Sequence, residues 1–495
     1  MRLSVATSLA IASAALVLTA RAQTAAPPVL AIEMDNAITQ PGNLRLIRPL
    51  ALFISDWSGE KPRARAWTNT GSVTAEIAPL PGTRGHWNAT VKYTVIEAPG
   101  AAPASGQLTV RLTVHGVTVL GSFEGKFRDL MVRGAVHAGL CWDRIGGVQP
   151  GMLLWTPDPA RSVRAAILPG IKDTALREDF QAFAAANGLA VIGLEGVGLD
   201  GAGGDAERID ACLKALAQMS GHPELKQVPL FLTGHSMSGQ IAYEYNAWRP
   251  ERVVAFTVNK GGNYGTWQAS DRARANPAVI CGGETDTDHR VASIHKLFDG
   301  NRPFGALWSV EIEEGEGHSF VRSLPLFLLH FQHALDQRLP VGATSILPVD
   351  QRRAWLADNS TWHGGIAKIF PAAGFKGDST HLSWLLDGDV AYVYRGVATY
   401  GNPLVLARTA DHGVAYFADE PVVLECTDFG NDEWKSVALY DGAARIATLS
   451  RGKPRVTLKP QKLGVHAGVL VGERPDGSQR TSWPVAWIVR PALGE

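Results

Sequence analysis

The sequence predicts an α/β protein: a mostly parallel sheet with helices on both faces, flanked before and after by β-rich regions. Three observations carry this. Between about residues 151 and 339, short apolar runs alternate with helical stretches. On either side of that region, apolar residues recur with period two instead. In the middle, an apolar strand runs through the tight turn Gly234-His235-Ser236-Met237-Ser238 directly into a helical stretch.

The first 22 residues read as an export signal. Arg2 supplies a positive start, residues 3–19 are uncharged and apolar, and Ala20-Arg21-Ala22 has the small-x-small form a signal peptidase needs. Cleavage would leave Gln23 as the N-terminus and a periplasmic or secreted protein. The stretch is short for a spanning helix, and Ala and Ser dilute its hydrophobicity. No later stretch is apolar and long enough to span, so no membrane span is expected after signal removal.

Residues 23–140 alternate apolar and polar side chains, as in Trp87-Asn88-Ala89-Thr90-Val91-Lys92-Tyr93 and Leu108-Thr109-Val110-Arg111-Leu112. That period suits half-buried antiparallel strands, which would close as a sandwich or small barrel. The catalytic α/β region is expected over 141–340. Its strands fall at 165–168, 189–194, 228–232, 253–258, 278–280 and 306–312, with helices at 177–186, 206–218 and 240–248 among them. Such a sheet binds ligands at the carboxyl ends of its strands. Residues 341–414 read as a β-rich connection and 415–495 as a β-sandwich, with Pro475-Asp476-Gly477 marking one of its turns.

Composition narrows the function classes. The chain has 495 residues, enough for two to four domains, and its apolar content of 45% suits packed cores. Lys+Arg and Asp+Glu balance at 47 each with no basic run, so nucleic-acid binding has no electrostatic support. Cys141, Cys212, Cys281 and Cys426 make no CxxC pair or metal-ligand spacing. An oxidising compartment would permit disulfides among them, but their spacing selects no pairing.

The Gly-x-Ser-x-Ser turn is where the chemistry concentrates. A serine on a strained strand-to-helix turn stands above the sheet, with the helix N-terminus aimed at a developing oxyanion. Residues two before and two after it must be small, and Gly234 and Ser238 are. Ser236 is therefore the expected nucleophile. Asp286, after the strand at 278–280 and its Gly282-Gly283 turn, is the expected acid, with Asp288 and Glu284 as nearby competitors. The preceding strand ends in Asn259 and Lys260, which offer no carboxylate there. His318, in the loop after the last strand, is the expected base and completes the chain order Ser, Asp, His. His235 reads as a packing residue, and His289 lies too near the acid to serve. Two backbone N–H groups should form the oxyanion hole: Met237, and Ile171 in the loop after the 165–168 strand, with Gly170 as second choice.

These residues resemble the α/β-hydrolase superfamily over roughly 151–339. The run GHSMSGQIAYEYNAWRPERVVAFTVNKGG looks like its polyhydroxybutyrate depolymerase-like and feruloyl esterase-like branch, departing from that branch's Gly-x-Ser-x-Gly elbow at Ser238. The resemblance implies ester hydrolysis through an acyl-enzyme, with no metal or organic cofactor. Ser236 would attack, His318 would shuttle the proton and Asp286 would orient His318. The ALYDGAARIATL run is similar to Ig-like domains appended to bacterial surface and carbohydrate-active enzymes. Exported enzymes use aromatic rings to stack on sugars, but most of the abundant Trp residues here read as core. Export, that tail and the lack of a long apolar lid helix point to carbohydrate-linked or phenolic esters. Two alternatives stay open: an exported serine peptidase on the same scaffold, and a catalytically silent surface-binding protein.

Overall fold

The computed structural model describes strands between Ala31 and Leu140 by their backbone paths, and beyond them residues 151–157, 161–168, 177–194, 204–220, 222–319, 322–358, 366–409, 414–418, 421–459 and 462–490. The expected export signal, Cys141, Gly170 and Ile171 lie outside the described residues.

One sheet organises the molecule. Its parallel part runs Trp308–Glu313, Ala278–Gly283, Val253–Asn259, Leu230–Leu232, Ala166–Leu168 and Ala190–Leu194, after which Gly151–Thr156 pairs antiparallel. The described residues of the six parallel strands are almost wholly buried, as expected where helices cover both faces. The chain crosses between strands through α1 (Glu178–Asn187), α2 (Gly204–Ser220), α3 (Met237–Trp248), the short α4 (Asp271–Arg274) and α5 (Asp288–Asp299), and leaves the sheet along α6 (Leu324–Arg338). Gly188, in the left-handed conformation at φ 66°, ends α1 and donates its N–H to the Ala184 carbonyl.

The N-terminal strands differ from the expectation of a separately closed sandwich or barrel. Ser72–Pro79 through Leu130–Leu140 form an antiparallel meander, and Leu130–Leu140 pairs with Gly151–Thr156, so the meander continues the central sheet. An antiparallel last strand leaves its outer edge free to accept the next hairpin, which extends the sheet instead of closing it.

The region 341–414 contains more than strands. Three short strands, Trp355–Asp358, Lys368–Pro371 and Ser383–Leu385, precede the amphipathic helix α7 (Gly388–Val397), which the sequence reading missed. Asp387 caps α7, accepting from the Val390 N–H at 3.2 Å. A two-sheet sandwich follows and starts at Val405–Arg408, before the expected boundary at 415. A sheet of Val405–Arg408, Val422–Asp428 and Arg455–Leu458 faces a larger one centred on Gly464–Glu473, with Leu424, Leu439, Leu470 and Trp487 buried between them. The outer face of the larger sheet, including Val465, Ala467 and Ile488, shares one apolar core with α1, α6 and α7. Cys212 is disulfide-bonded, whereas Cys281 and Cys426 are buried free thiols. No described helix is long and apolar enough to cross a membrane.

Candidate active site

The site is built at the carboxyl ends of four neighbouring strands, Leu230–Leu232, Val253–Asn259, Ala278–Gly283 and Trp308–Glu313. Ser236 follows Leu230–Leu232 and opens α3 with φ 58° and ψ −124°. Positive φ is unfavourable for a residue carrying a Cβ, so the surroundings must impose it. Two backbone bonds do so: Ser236 N–H donates to the Asn259 carbonyl at 2.8 Å, and Asn259 N–H donates to the Gly234 carbonyl at 3.0 Å. A Cβ at Gly234 would overlap the Ser238 carbonyl group. One at Gly239 would lie 2.8 Å from the Gly234 carbonyl oxygen and 3.2 Å from Asn259 N. This explains the departure at Ser238. The tight helix–strand approach falls on Gly234 and Gly239, and buried Ser238 fits between them.

The acid and the histidine come from adjacent loops laced by backbone bonds. Glu284 N–H donates to the Glu313 carbonyl at 3.1 Å, and Thr285 N–H to the Glu316 carbonyl at 2.9 Å. Gly283 makes this possible, because a Cβ there would overlap the Gly317 and Glu316 carbonyl oxygens. The lacing brings Asp286 Oδ2 to 2.8 Å from His318 Nδ1, with the carboxylate 3% exposed and the imidazole 36% exposed. Burial opposes ionisation of Asp286. The bonds from His318 and the Thr287 N–H, and the charges of His318 and Arg290, outweigh it and hold the carboxyl below its usual range.

The competitors are engaged elsewhere. Glu284 accepts from the Gly315 N–H at 2.7 Å, Asp288 begins α5, and exposed His289 contacts the Thr287 hydroxyl at 3.1 Å. The His235 ring lies 4.4 Å from that of His318, centroid to centroid. Burial and the neighbouring charges of His318 and Lys260 lower His235 to about 4, so it packs as a neutral ring at pH 7. The structure thus brings Asp286 and His318 together beside the Ser236 turn. Among the described residues it shows no hydrogen bond from His318 to Ser236. The Ser236 hydroxyl oxygen accepts from Arg290 Nη1, at 3.5 Å. Serine–histidine bonds in empty sites are often long and close only around substrate. Met237 is the first residue of α3, so its N–H has no acceptor within the helix and is available to an oxyanion.

Two features escaped the sequence reading. Arg290 is one, lying four residues past Asp286 on the first turns of α5. The other is a polar cluster beneath the histidine loop. Fully buried Lys260 pairs with Glu313 and also donates to the Ser319 carbonyl at 2.9 Å. Glu313 accepts from the Ser323 N–H and hydroxyl at 2.8 and 2.6 Å, tying the loop to the start of α6. Beside it, burial and the Glu313 charge push Glu311 up to about 8. Glutamates at 311 and 313, alternating with Val310 and Ile312 in one strand, were the legible sign of this cluster. Of the tryptophans whose burial is described, Trp155, Trp308, Trp384 and Trp487 are core residues, and Trp248, Trp267, Trp355, Trp434 and Trp483 are half-buried.

No protein-family model matches the chain, and no curated protein sequence matches it. Solved hydrolases are similar over part of it. Poly(aspartic acid) hydrolase-1 from Sphingomonas sp. KT-1 is 16% identical, covering 37% of this chain and 93% of that one, with a TM-score of 0.28. A cold-adapted esterase from an Arctic intertidal metagenomic library is 16% identical over 41% of this chain and 94% of that one, with a TM-score of 0.29. Puromycin hydrolase is 15% identical over 55% of this chain and 54% of that one, with a TM-score of 0.28. Likenesses this partial carry no weight of their own, and the functional reading rests on the geometry above.

Proposed function

We propose that this protein is an exported serine esterase of the α/β-hydrolase type, acting through Ser236, His318 and Asp286. The single observation that carries the reading is the Asp286–His318 hydrogen bond, formed on laced loops beside a serine held at positive φ. Asp286 fixes the proton on Nδ1 and leaves Nε2 free to act as base. His318 takes the Ser236 proton as the hydroxyl attacks the ester carbonyl, and the Met237 N–H stabilises the oxyanion, joined by that of Ile171. His318 returns the proton to the leaving alcohol. Water, activated by the same imidazole, then releases the acid from the acyl-enzyme. The scheme requires no metal or organic cofactor.

A fluorophosphonate probe is expected to label Ser236, and Ser236→Ala should lower p-nitrophenyl acetate hydrolysis by roughly 10³-fold or more. Unchanged turnover in that variant would sink the reading. Export is supported by the leader pattern and by the disulfide at Cys212, since disulfides persist in oxidising compartments. Intact-mass analysis of protein made with its leader should give a chain starting at Gln23. We read the C-terminal sandwich as Ig-like and the substrate as a carbohydrate-linked or phenolic ester.

A further inference from the structure

We propose that the site selects esters bearing a carboxylate close to the scissile bond, and that Arg290 is the residue that holds it. This rests on the serine esterase reading and names its substrate class.

Arg290 Nη1 lies 3.5 Å from Ser236 Oγ and donates to the Lys260 carbonyl at 3.1 Å. Those contacts use two of five guanidinium N–H groups, and among the described residues the other three meet no acceptor within hydrogen-bonding distance. Within 4 Å the guanidinium has one described carboxylate, that of Asp286, at 3.9 Å from Nε. That distance is too long for a hydrogen bond, and Asp286 already accepts from His318 and the Thr287 N–H. A permanent cation, with its side chain 24% exposed, therefore stands beside the nucleophile with most of its donors unused.

Its position is built. Apart from Ser236, Lys260 is the one described non-glycine residue at positive φ, 55°, and its carbonyl is the group that holds Arg290. Gly262 gives the side chain room. A Cβ there would sit 3.1 Å from both Arg290 Cγ and Nη1, and 3.2 Å from His289 Nε2. The backbone thus takes an unfavourable conformation and omits a side chain where the guanidinium passes.

A substrate carboxylate on Arg290 would neutralise the charge, form a forked pair and bring its ester carbonyl to Ser236. Reach along the substrate sets the chemistry, with the carboxylate about two to four bonds from the ester carbonyl.

The test compares p-nitrophenyl hemisuccinate with its neutral counterpart p-nitrophenyl pentanoate, using the full chain. The wild type should show the higher kcat/KM on the anionic ester. Arg290→Gln should cut the anionic-to-neutral ratio at least tenfold, Arg290→Lys less, and Gly262→Ala should lower it without removing the arginine. A wild-type preference for the neutral ester, or equal losses on both esters in Arg290→Gln, would overturn the inference while fluorophosphonate labelling of Ser236 leaves the parent reading standing. Absence of labelling in folded wild-type protein would overturn both.

Discussion

Asp286 shows how much of the proposed chemistry depends on one side chain. Its carboxylate is nearly enclosed and bonded to His318, so an amide in its place would keep the shape but reverse the hydrogen-bond preference at Nδ1. Asp286→Asn should therefore fold and still lose kcat by roughly 10³ to 10⁴, measured on the same p-nitrophenyl ester. Sequence order singled out Ser236, Asp286 and His318 because each follows a strand whose end falls at one edge of the sheet. Arg290 and Lys260 were not legible in that way. Their significance lies in where two backbones cross, and a charged residue early in a helix has no sequence mark separating it from a solvated one.

At the scale of elements, the contact between the acid loop and the histidine loop is the joint that matters. Gly283 sits where the two backbones touch, and any Cβ there must push Gly317 and Glu316 away. Gly283→Ala should lower both the melting temperature and kcat, because the displaced loop carries His318. A thermal melt beside a turnover measurement checks it, and loss of stability with turnover intact would refute the coupling. The elements themselves were largely foreseeable. Leu189 to Leu194 reads as a strand from apolar run length alone, and the structure begins it one residue later. Helix α7 was missed because Gly388-Asp389 opens it and Val390, Val393 and Val397 are β-branched, a composition that favours strand until the Asp387 cap and the packing against α6 are known.

Across the whole molecule, two histidine–carboxylate pairs stand where the α/β core meets the C-terminal region. His333 on α6 bonds Asp387 at 2.7 Å, and His466 bonds Asp441 at 2.6 Å. Burial alone would lower both histidines. The hydrogen bonds and charges of their aspartates, joined for His333 by Asp389 and Asp336, reverse that and raise them. A raised histidine contributes stability that is complete below the unfolded value, near 6.5, and lost as pH rises through the folded value. Asp387 is lowered: burial resists its charge, but His333, the Val390 N–H and Arg353 prevail. Its contribution is present above the unfolded value and is lost as pH falls through the folded one. Melting temperature should therefore drop by a few degrees between about pH 6 and pH 9. The double variant His333→Gln and His466→Gln should flatten that slope, and an unchanged slope would assign the effect elsewhere.

The amino-acid order was sufficient for the parallel core, the strand-to-helix turn and the chain order of the expected triad. These follow from short-range regularities: apolar run length, the small residues a sharp turn requires, and position after a strand. Three matters needed folded coordinates. They are the fusion of the N-terminal meander into the central sheet, the shared core of sandwich and helices, and the guanidinium beside Ser236. Each depends on which surfaces meet across long stretches of chain, and local periodicity carries no record of that pairing because many partners would satisfy the same apolar face.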